Sequence, residues 1–291
     1  MSEFDDATSY PPTPHSAAGA HIQSMEVYQE MYEKSINDSD VFWGSQARET
    51  LHWSAPFDAV QMGGFEHGDV AWFVNGKLNV SVNCLDRHIP LRGDKTAIVW
   101  EADEPGQSKS FTYKEVLRET CRIANALKSQ GVRRGDAITI YMPMIPQLAF
   151  TMLACTRLGA VHSIVFAGFS AQALASRIVN CHTKWIVTSN VGLRGGRTLK
   201  LKKIVDEALD GLDFVEKCFV FQRTDEEVNM VEGRDVAMEP LMATQRPFCP
   251  AEAMDSEDTL FLLYTSGSTG APKGVAHTTA GYLLWASLTH K

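Results

Sequence analysis

Apolar runs alternate with amphipathic stretches from about Thr96 to Phe221, and this alternation constrains the fold more than any other feature of the sequence. Short runs rich in β-branched and aromatic residues predict buried strands, whereas apolar residues spaced three or four apart predict helices. Because right-handed crossovers make successive strands parallel, the pattern predicts an α/β fold with a parallel, doubly wound sheet. Ligands of such sheets bind at the carboxyl ends of the strands. The predicted strands are Ala97–Trp100, Lys109–Thr112, Ala137–Tyr141, Val161–Phe166, Trp185–Thr188 and Cys218–Phe221.

The stretches between these strands carry turn and helix signals. The first two strands flank a turn-forming Asp-Glu-Pro-Gly stretch, 103–106, and are expected to pair as a hairpin. Thr112 and Glu115 form a capping box, so a helix is expected from there to about Gly131. Further helices are predicted to begin at Pro146, at Ser170 and at about Leu199.

The sequence outside this region is less regular. Residues 1–21 are acidic and rich in Pro and Ser, which predicts a disordered tail. Residues 23–36 have the apolar spacing of a short amphipathic helix. The aromatic-rich stretch 42–73 is interpreted as an arm that packs its rings on the main body. Residues 223–258 show no period and are interpreted as a long excursion between strands.

The last residues, 279–291, have the pattern of a helix with an apolar face but without a Gly or Pro stop signal. Such a face requires a partner element. We therefore expect the chain to be an N-terminal fragment of a longer protein, with an incomplete first domain.

The net charge of −8 argues against nucleic acid or an anionic membrane as a partner, and favours small ligands bound at local anion sites. No apolar run approaches the roughly 20 residues that a membrane span needs. The six cysteines are too widely spaced for a metal or redox motif, and no metal ligand is assigned. We expect a reducing compartment, cytoplasmic or nucleocytosolic.

Tyr264–Gly274 reads YTSGSTGAPKG and follows an apolar run that predicts a strand. Glycines after a strand let the backbone approach a ligand, hydroxyl and amide donors bind anions, and Lys273 adds a positive charge. The composition therefore suits a polyphosphate, although the spacing is not that of a Walker A loop. A flexible Gly/Ser linker is the alternative, but Pro272 and the flanking apolar runs are not typical of a linker.

Arg194-Gly195-Gly196-Arg197 begins a group of five cations within ten residues, completed by Lys200, Lys202 and Lys203. The glycines would let two guanidinium groups converge on one phosphate. An exposed basic turn before a helix explains the pattern equally well. Phe166 and Gly168 follow a predicted strand and are weaker candidates for the lining of an adjacent channel.

Other polar residues carry no motif. His277 follows the glycine-rich loop without a carboxylate or nucleophile beside it, so it is assigned no catalytic role. Asp86, Arg87 and His88 are interpreted as fold-stabilising or surface residues.

The loop resembles the phosphate-binding signature of adenylate-forming enzymes, [ST]-[SG]-G-[ST]-[ST]-G-x-P-K-G, the superfamily of acyl-CoA synthetases, luciferases and adenylation domains. Ser266 through Gly274 match every defined position, and Ala271 occupies the variable one. The resemblance implies that ATP phosphates bind to the loop, with Lys273 as a catalytic counter-charge. The residues implied are Thr265, Ser266, Gly267, Ser268, Thr269, Gly270, Lys273 and Gly274. Mg²⁺ is the implied metal cofactor.

The aromatic stretch is similar to the N-terminal extension of acetyl-CoA and propionyl-CoA synthetases, on FW at 42–43, LHWSAPFD at 51–58 and WFVNGKLNVSVNCLDRH at 72–88. This resemblance implies an extension at 22–90 and an incomplete AMP-binding domain at 91–291. It also implies that RGGR at 194–197, with Phe166 and Gly168, binds coenzyme A.

The activity implied is that of an acetate–CoA ligase, which uses ATP to activate acetate as acetyl-AMP and then transfers the acetyl group to coenzyme A. A propionate-specific ligase is one alternative. A non-catalytic nucleotide- or CoA-binding fragment is another, and the fragment alone is expected to be inactive.

Overall fold

The computed structural model describes residues 11–103, 106–265 and 272–290. The chain divides into two compact units, Met1–Thr50 with Leu284–Lys291, and Leu51–Leu283. Its helices are α1 Pro14–Ala18, α2 Met25–Asn37, α3 Ser39–Thr50, α4 Val80–Cys84, α5 Ile89–Arg92, α6 Tyr113–Ser129, α7 Pro146–Leu158, α8 Ala171–Asn180, α9 Leu201–Ala208, α10 Met238–Ala243 and α11 Thr279–Thr289, with a 3-10 turn at Asp86–His88. Its strands are β1 Trp53–Ala55, β2 Ala59–Met62, β3 Ala71–Val74, β4 Lys77–Leu78, β5 Thr96–Glu101, β6 Ser108–Thr112, β7 Ala137–Tyr141, β8 Val161–Ile164, β9 Trp185–Ser189, β10 Gly192–Arg194, β11 Arg197–Leu199, β12 Lys217–Phe221, β13 Asp235–Ala237, β14 Met254–Asp255, β15 Thr259–Thr265 and β16 Lys273–Thr278.

The smaller unit is helical. The amphipathic helix predicted at 23–36 is confirmed as α2, which begins after the N-cap Ser24. The expectation that 1–21 has no regular structure is wrong at α1. There the Thr13 hydroxyl accepts a hydrogen bond from the Ser16 amide at 3.2 Å, and Pro14 occupies the first turn, where a missing N–H costs nothing.

The larger unit is built on a seven-stranded sheet with the order β13-β12-β9-β7-β8-β15-β16. The first six strands of this order are parallel, which confirms the predicted sheet. The seventh corrects the prediction, because β16 returns antiparallel to β15 at the edge. The residue facing Thr265 in this pair is Lys273.

Alternate residues of the central strands point to opposite faces, and each face is covered by helices. Ile138 and Ile140 of β7 belong to one buried cluster, together with apolar residues of α6 and α7. Tyr141 of β7 and Ile186 of β9 belong to the other, with apolar residues of α8 and α9. The sheet is therefore doubly wound, as the alternation predicts.

Two further expectations are wrong. The stretch 223–258 contains β13, α10 and β14, and β13 extends the main sheet beside β12. The helix expected from Leu199 to Leu212 is α9 and begins only at Leu201, because Arg197–Leu199 pairs as a strand with Gly192–Arg194.

The aromatic segment forms a cluster of its own rings at its centre. The rings of Trp53, Phe57 and Phe73 contact one another with centroids 5.1 to 5.7 Å apart. β4 joins the segment to the stretch before β15, because it pairs with both β1 and β14. Phe65 does not take part, because its side chain is exposed.

Arg157 forms a buried ion pair that ties the 3-10 turn Asp86–His88 to α7. The side chain is 3% exposed, and its two terminal nitrogens donate to the Asp86 carboxylate at 2.8 and 2.9 Å. Burial disfavours the charged guanidinium, but the hydrogen bonds and charge of Asp86 outweigh this and raise the pKa of Arg157. The fold-stabilising interpretation of Asp86 is thus supported.

The capping box at the start of α6 is confirmed. The Glu115 amide donates to the Thr112 hydroxyl at 3.3 Å, and the Thr112 amide donates to the Glu115 carboxylate at 2.8 Å. We expect Thr112→Ala to lower the free energy of unfolding by about 1 kcal/mol, since the Glu115 amide loses its hydroxyl acceptor and the Glu115 carboxylate loses the hydroxyl that donates to it at 2.9 Å. Chemical denaturation measures this change. Ser176→Ala, which removes an exposed hydroxyl inside α8, is the control, and an equal loss in both variants would contradict the capping role.

Candidate functional site

The carboxyl ends of the parallel strands meet at one edge of the sheet, and the segments that follow them form a cleft of about 350 Å³. The cleft is lined by residues after β7, β8, β9 and β12, and by the end of β5 with the residues after it. Its apolar walls include Trp100, Met144 and Phe166, and its guanidinium groups are those of Arg194 and Arg223. Trp100 is held by a hydrogen bond from its indole nitrogen to the Met144 carbonyl, 2.9 Å.

The two arginines of the RGGR motif lie at the tip of a β-hairpin. Arg194 and Arg197 face each other in the register of β10 and β11, with the two glycines between them. Gly195 and Gly196 have φ angles of 55° and 70°, as a type I′ turn requires, and this left-handed region favours glycine. Directly opposed residues lie on the same face of a hairpin, so two positive charges are placed side by side. Like charges directly opposite each other destabilise a hairpin, and an anion bound between them would offset the repulsion.

Phe166, Gly168 and Arg194 form one compact arrangement in the cleft. The Arg194 guanidinium lies over the Phe166 ring, 5.0 Å from its centroid, in a cation–π contact. A Cβ atom at Gly168 would lie 2.6 Å from the Phe166 ring and 3.3 Å from Arg194 Nη1. A side chain at position 168 would therefore displace the ring on which the arginine stacks.

The lysines after the hairpin do not extend the anion patch as expected. Lys202 is fully buried, and its amino group is 2.7 Å from both the Asp206 and Asp235 carboxylates. Lys200 is paired with Glu226. The prediction of five cooperating cations is wrong at Lys202, because this side chain neutralises carboxylates inside the fold.

The glycine-rich loop joins β15 to β16. Ser266, Gly267, Ser268, Thr269 and Gly270 lie outside the described residues. The described ends of the loop are close, since Thr265 and Lys273 are paired across the two strands. The sequence therefore predicts the strand before the loop correctly, and the structure adds a second strand after it.

Tyr264, directly before the loop, is held firmly. Its hydroxyl donates to the Asn180 amide oxygen at 2.6 Å, and the Arg177 guanidinium lies 5.4 Å from its ring centroid. Burial raises the pKa of this hydroxyl to about 12, so it stays protonated at neutral pH. Gly274 packs against the same ring, since a Cβ atom there would lie 3.2 Å from it.

Arg223 and Asp103 are cleft residues that the sequence did not single out. Arg223 Nη2 is 2.9 Å from Asp103 Oδ2, and the Arg223 side chain is 10% exposed. A signal was present, because a basic residue follows shortly after the predicted strand Cys218–Phe221. Asp103 was interpreted as part of a turn.

His277, to which no catalytic role was assigned, has an aromatic environment. Its ring stacks on Phe261 with centroids 4.5 Å apart, and the Tyr282 ring lies at 5.7 Å.

The described residues offer neither a metal-ligand cluster nor a bilayer-spanning helix. Across 11–103, 106–265 and 272–290, no three His, Cys, Asp or Glu side chains are grouped as a metal site would require. In the same residues we find no helix with the length and apolar character to cross a bilayer.

Comparisons with known proteins relate most of the chain to acetyl-coenzyme A synthetases. Residues 85–291 match the family model for AMP-binding enzymes, and residues 28–84 match the model for the acetyl-coenzyme A synthetase N-terminus. The acetyl-coenzyme A synthetase of Phycomyces blakesleeanus is 52% identical over 96% of this chain and 41% of the relative. Acetyl-coenzyme A synthetase 2 of Saccharomyces cerevisiae is 52% identical over 92% of this chain and 40% of the relative.

The chain thus spans about two fifths of the length of these curated relatives. Among solved structures, acetoacetyl-CoA synthetase from Streptomyces lividans superposes with a TM-score of 0.83 at 23% identity. The match covers 95% of this chain and 44% of that chain, and it supports the fold.

Proposed function

Because the chain belongs to the AMP-binding enzyme family, we propose that it carries the phosphate-binding loop and the coenzyme A cleft of an acetate–CoA ligase. In the proposed reaction, a carboxylate oxygen of acetate attacks the α-phosphorus of ATP and pyrophosphate leaves, giving acetyl-AMP. The thiol of coenzyme A then loses its proton and attacks the acetyl carbon, and AMP leaves. The names of the relatives support acetate as the acyl substrate.

The observation that carries the proposal is Arg194, which lines the cleft, stacks on Phe166 and faces Arg197 across the hairpin. Two guanidinium groups on one face of a hairpin suit a phosphate group, because each presents a planar fork of donors. We assign this pair, with Gly195 and Gly196, to the nucleotide end of coenzyme A. Phe166 and Gly168 line the path beside it.

The loop Thr265–Gly274 is proposed to hold the β- and γ-phosphates of ATP. Acetate and the phosphates are both anions, and unit charges 4 Å apart repel by about 4 kcal/mol at an effective dielectric of 20. Lys273, on the strand that leaves the loop, would offset this repulsion. Positioning and electrostatics then carry the first step without a covalent enzyme intermediate.

The remaining assignments are also proposals. Mg²⁺ is expected to accompany ATP, but the described residues offer no clustered ligand set, and we assign none. Small-molecule substrates are the expected partners, and neither nucleic acid nor a membrane is expected. The six free cysteines suit a cytoplasmic or nucleocytosolic protein. Residues 22–90 are proposed as the extension and 91–291 as the AMP-binding portion.

The test is Arg194→Ala in the full-length protein. We expect the KM for coenzyme A to rise about tenfold, because one charged hydrogen bond to phosphate is lost, while acetate-dependent ATP/pyrophosphate exchange is retained. Arg118→Ala, which removes a half-exposed arginine on α6, is the control. An equal fall of both half-reactions would instead indicate structural damage and contradict the assignment.

A further inference from the structure

Asn190, the residue after β9, uses the full hydrogen-bonding capacity of its side chain. It is 2% exposed. Its amide nitrogen donates to the carbonyls of Thr224 and Glu226 at 2.8 and 2.9 Å. Its amide oxygen accepts from the amides of Val191 and Arg223 at 2.8 and 2.9 Å.

These four bonds join two walls of the cleft. Val191 leads directly into β10, which carries Arg194 at its end. Arg223 and the carbonyls of Thr224 and Glu226 belong to the turn after β12. Both walls present a guanidinium to the same cleft. Asn190 therefore bridges the segments that hold the two cationic groups.

We propose that Asn190 is a positioning residue that sets the separation of the Arg194 and Arg223 walls, and through it the affinity for coenzyme A. The inference rests on the proposed function, because it takes the ligand of the cleft from there. Arg223, whose guanidinium is oriented by its ion pair with Asp103, then adds a further donor group to the cleft beside Arg194. Asn190 itself lies behind the walls and does not line the cleft.

The bonding pattern specifies asparagine. A buried amide supplies two donors and two acceptor positions, and all four are used here. Aspartate has nearly the same shape but would place a carboxylate oxygen against the carbonyls of Thr224 and Glu226. The two donors would be lost and replaced by repulsion, so the turn that carries Arg223 would move away from the hairpin.

Asn79 is a matched control at the opposite edge of the sheet. It is 5% exposed, and its amide nitrogen donates to the carbonyls of Thr156 and Glu252 at 2.8 and 2.9 Å. Its amide oxygen accepts from the Ser81 amide at 2.8 Å. Asn79→Asp therefore makes the same chemical change at similar burial, at the end of α7 and away from the cleft.

The experiment compares Asn190→Asp and Asn79→Asp in the full-length protein. For Asn190→Asp we expect the KM for coenzyme A to rise tenfold or more, with acetate-dependent ATP/pyrophosphate exchange within twofold of the wild type. For Asn79→Asp we expect Tm to fall by about as much as it does for Asn190→Asp, while the KM for coenzyme A stays unchanged. The inference is overturned if Asn190→Asp lowers Tm alone, or if it slows both half-reactions equally.

Two further variants keep the test decisive. If Asn190→Asp does not fold, Arg223→Gln probes the same wall, and an unchanged KM for coenzyme A would overturn the inference. Arg194→Ala is measured in the same assay. If Arg194→Ala leaves the KM for coenzyme A unchanged, the assignment of the cleft to coenzyme A has failed. If Arg194→Ala raises this KM and Asn190→Asp does not, only the positioning role of Asn190 has failed.

Discussion

In the full-length protein, replacing Lys273 with alanine is expected to slow the formation of acetyl-adenylate by about 10- to 100-fold. The lysine leaves the proposed phosphate loop on β16, and a hydrogen bond to a charged group is worth roughly 1.5–3 kcal/mol, which corresponds to this range of rates. Acetate-dependent ATP/pyrophosphate exchange isolates this half-reaction and is the measurement to use. Because the side chain is exposed at the edge of the sheet, we expect Tm to change little.

Lys184→Ala is the matched control. Lys184 is half exposed, pairs with Glu216 at 2.8 Å and precedes β9 at the opposite edge of the sheet. Lys184→Ala removes one positive charge, as Lys273→Ala does, but at a position away from the loop. An exchange rate for Lys273→Ala within about threefold of the Lys184→Ala rate would remove the phosphate role from Lys273.

Arg157→Met is expected to destabilise the protein by about 3–5 kcal/mol. The substitution keeps most of the buried volume but leaves the Asp86 carboxylate and the Cys249 carbonyl without their donor. Breaking one partner of a buried ion pair has a cost of this size. For the larger of the two compact units, this loss of unfolding free energy corresponds to a fall in Tm of about 6–20 °C. Calorimetry or circular dichroism measures the fall.

Arg134→Met serves as the comparison. Arg134 also contacts carboxylates, Asp255 at 3.3 Å and Asp258 at 2.7 Å, but its side chain is 43% exposed. Exposed pairs contribute about 1 kcal/mol or less. Equal losses for the two variants would show that burial of Arg157 does not determine its contribution.

The central strands and their helices were predictable because their signals are local. Ala137–Tyr141 has the bounds that its apolar run predicts, and α7 begins at Pro146 and ends before a left-handed Gly159. The parallel orientation of the strands followed from the rules for crossover connections, which hold for any sheet of this type. RGGR at 194–197 follows the predicted strand Trp185–Thr188, so the same rules place it at the carboxyl edge of the sheet.

The missed features depend on residues that are distant in sequence. The strand β16 is largely exposed, so Lys273–Thr278 lacks the apolar alternation that marks a buried strand. Lys202 has an ordinary surface pattern, and only the fold places Asp235 beside it. Arg223 and Asp103 are 120 positions apart, and a single sequence contains no signal for their ion pair.

The strand order also fixes how far apart the two proposed binding regions lie. The RGGR hairpin follows β9 and the phosphate loop follows β15, with β7 and β8 between them. Neighbouring strands are about 4.8 Å apart, so the two strand ends are separated by roughly 14 Å along the edge. A cofactor anchored by its phosphates at the hairpin, as proposed, would have to be long and thin for its sulfur to reach an acyl group at the loop. Such a spacing would favour a thiol on a long arm over a compact one.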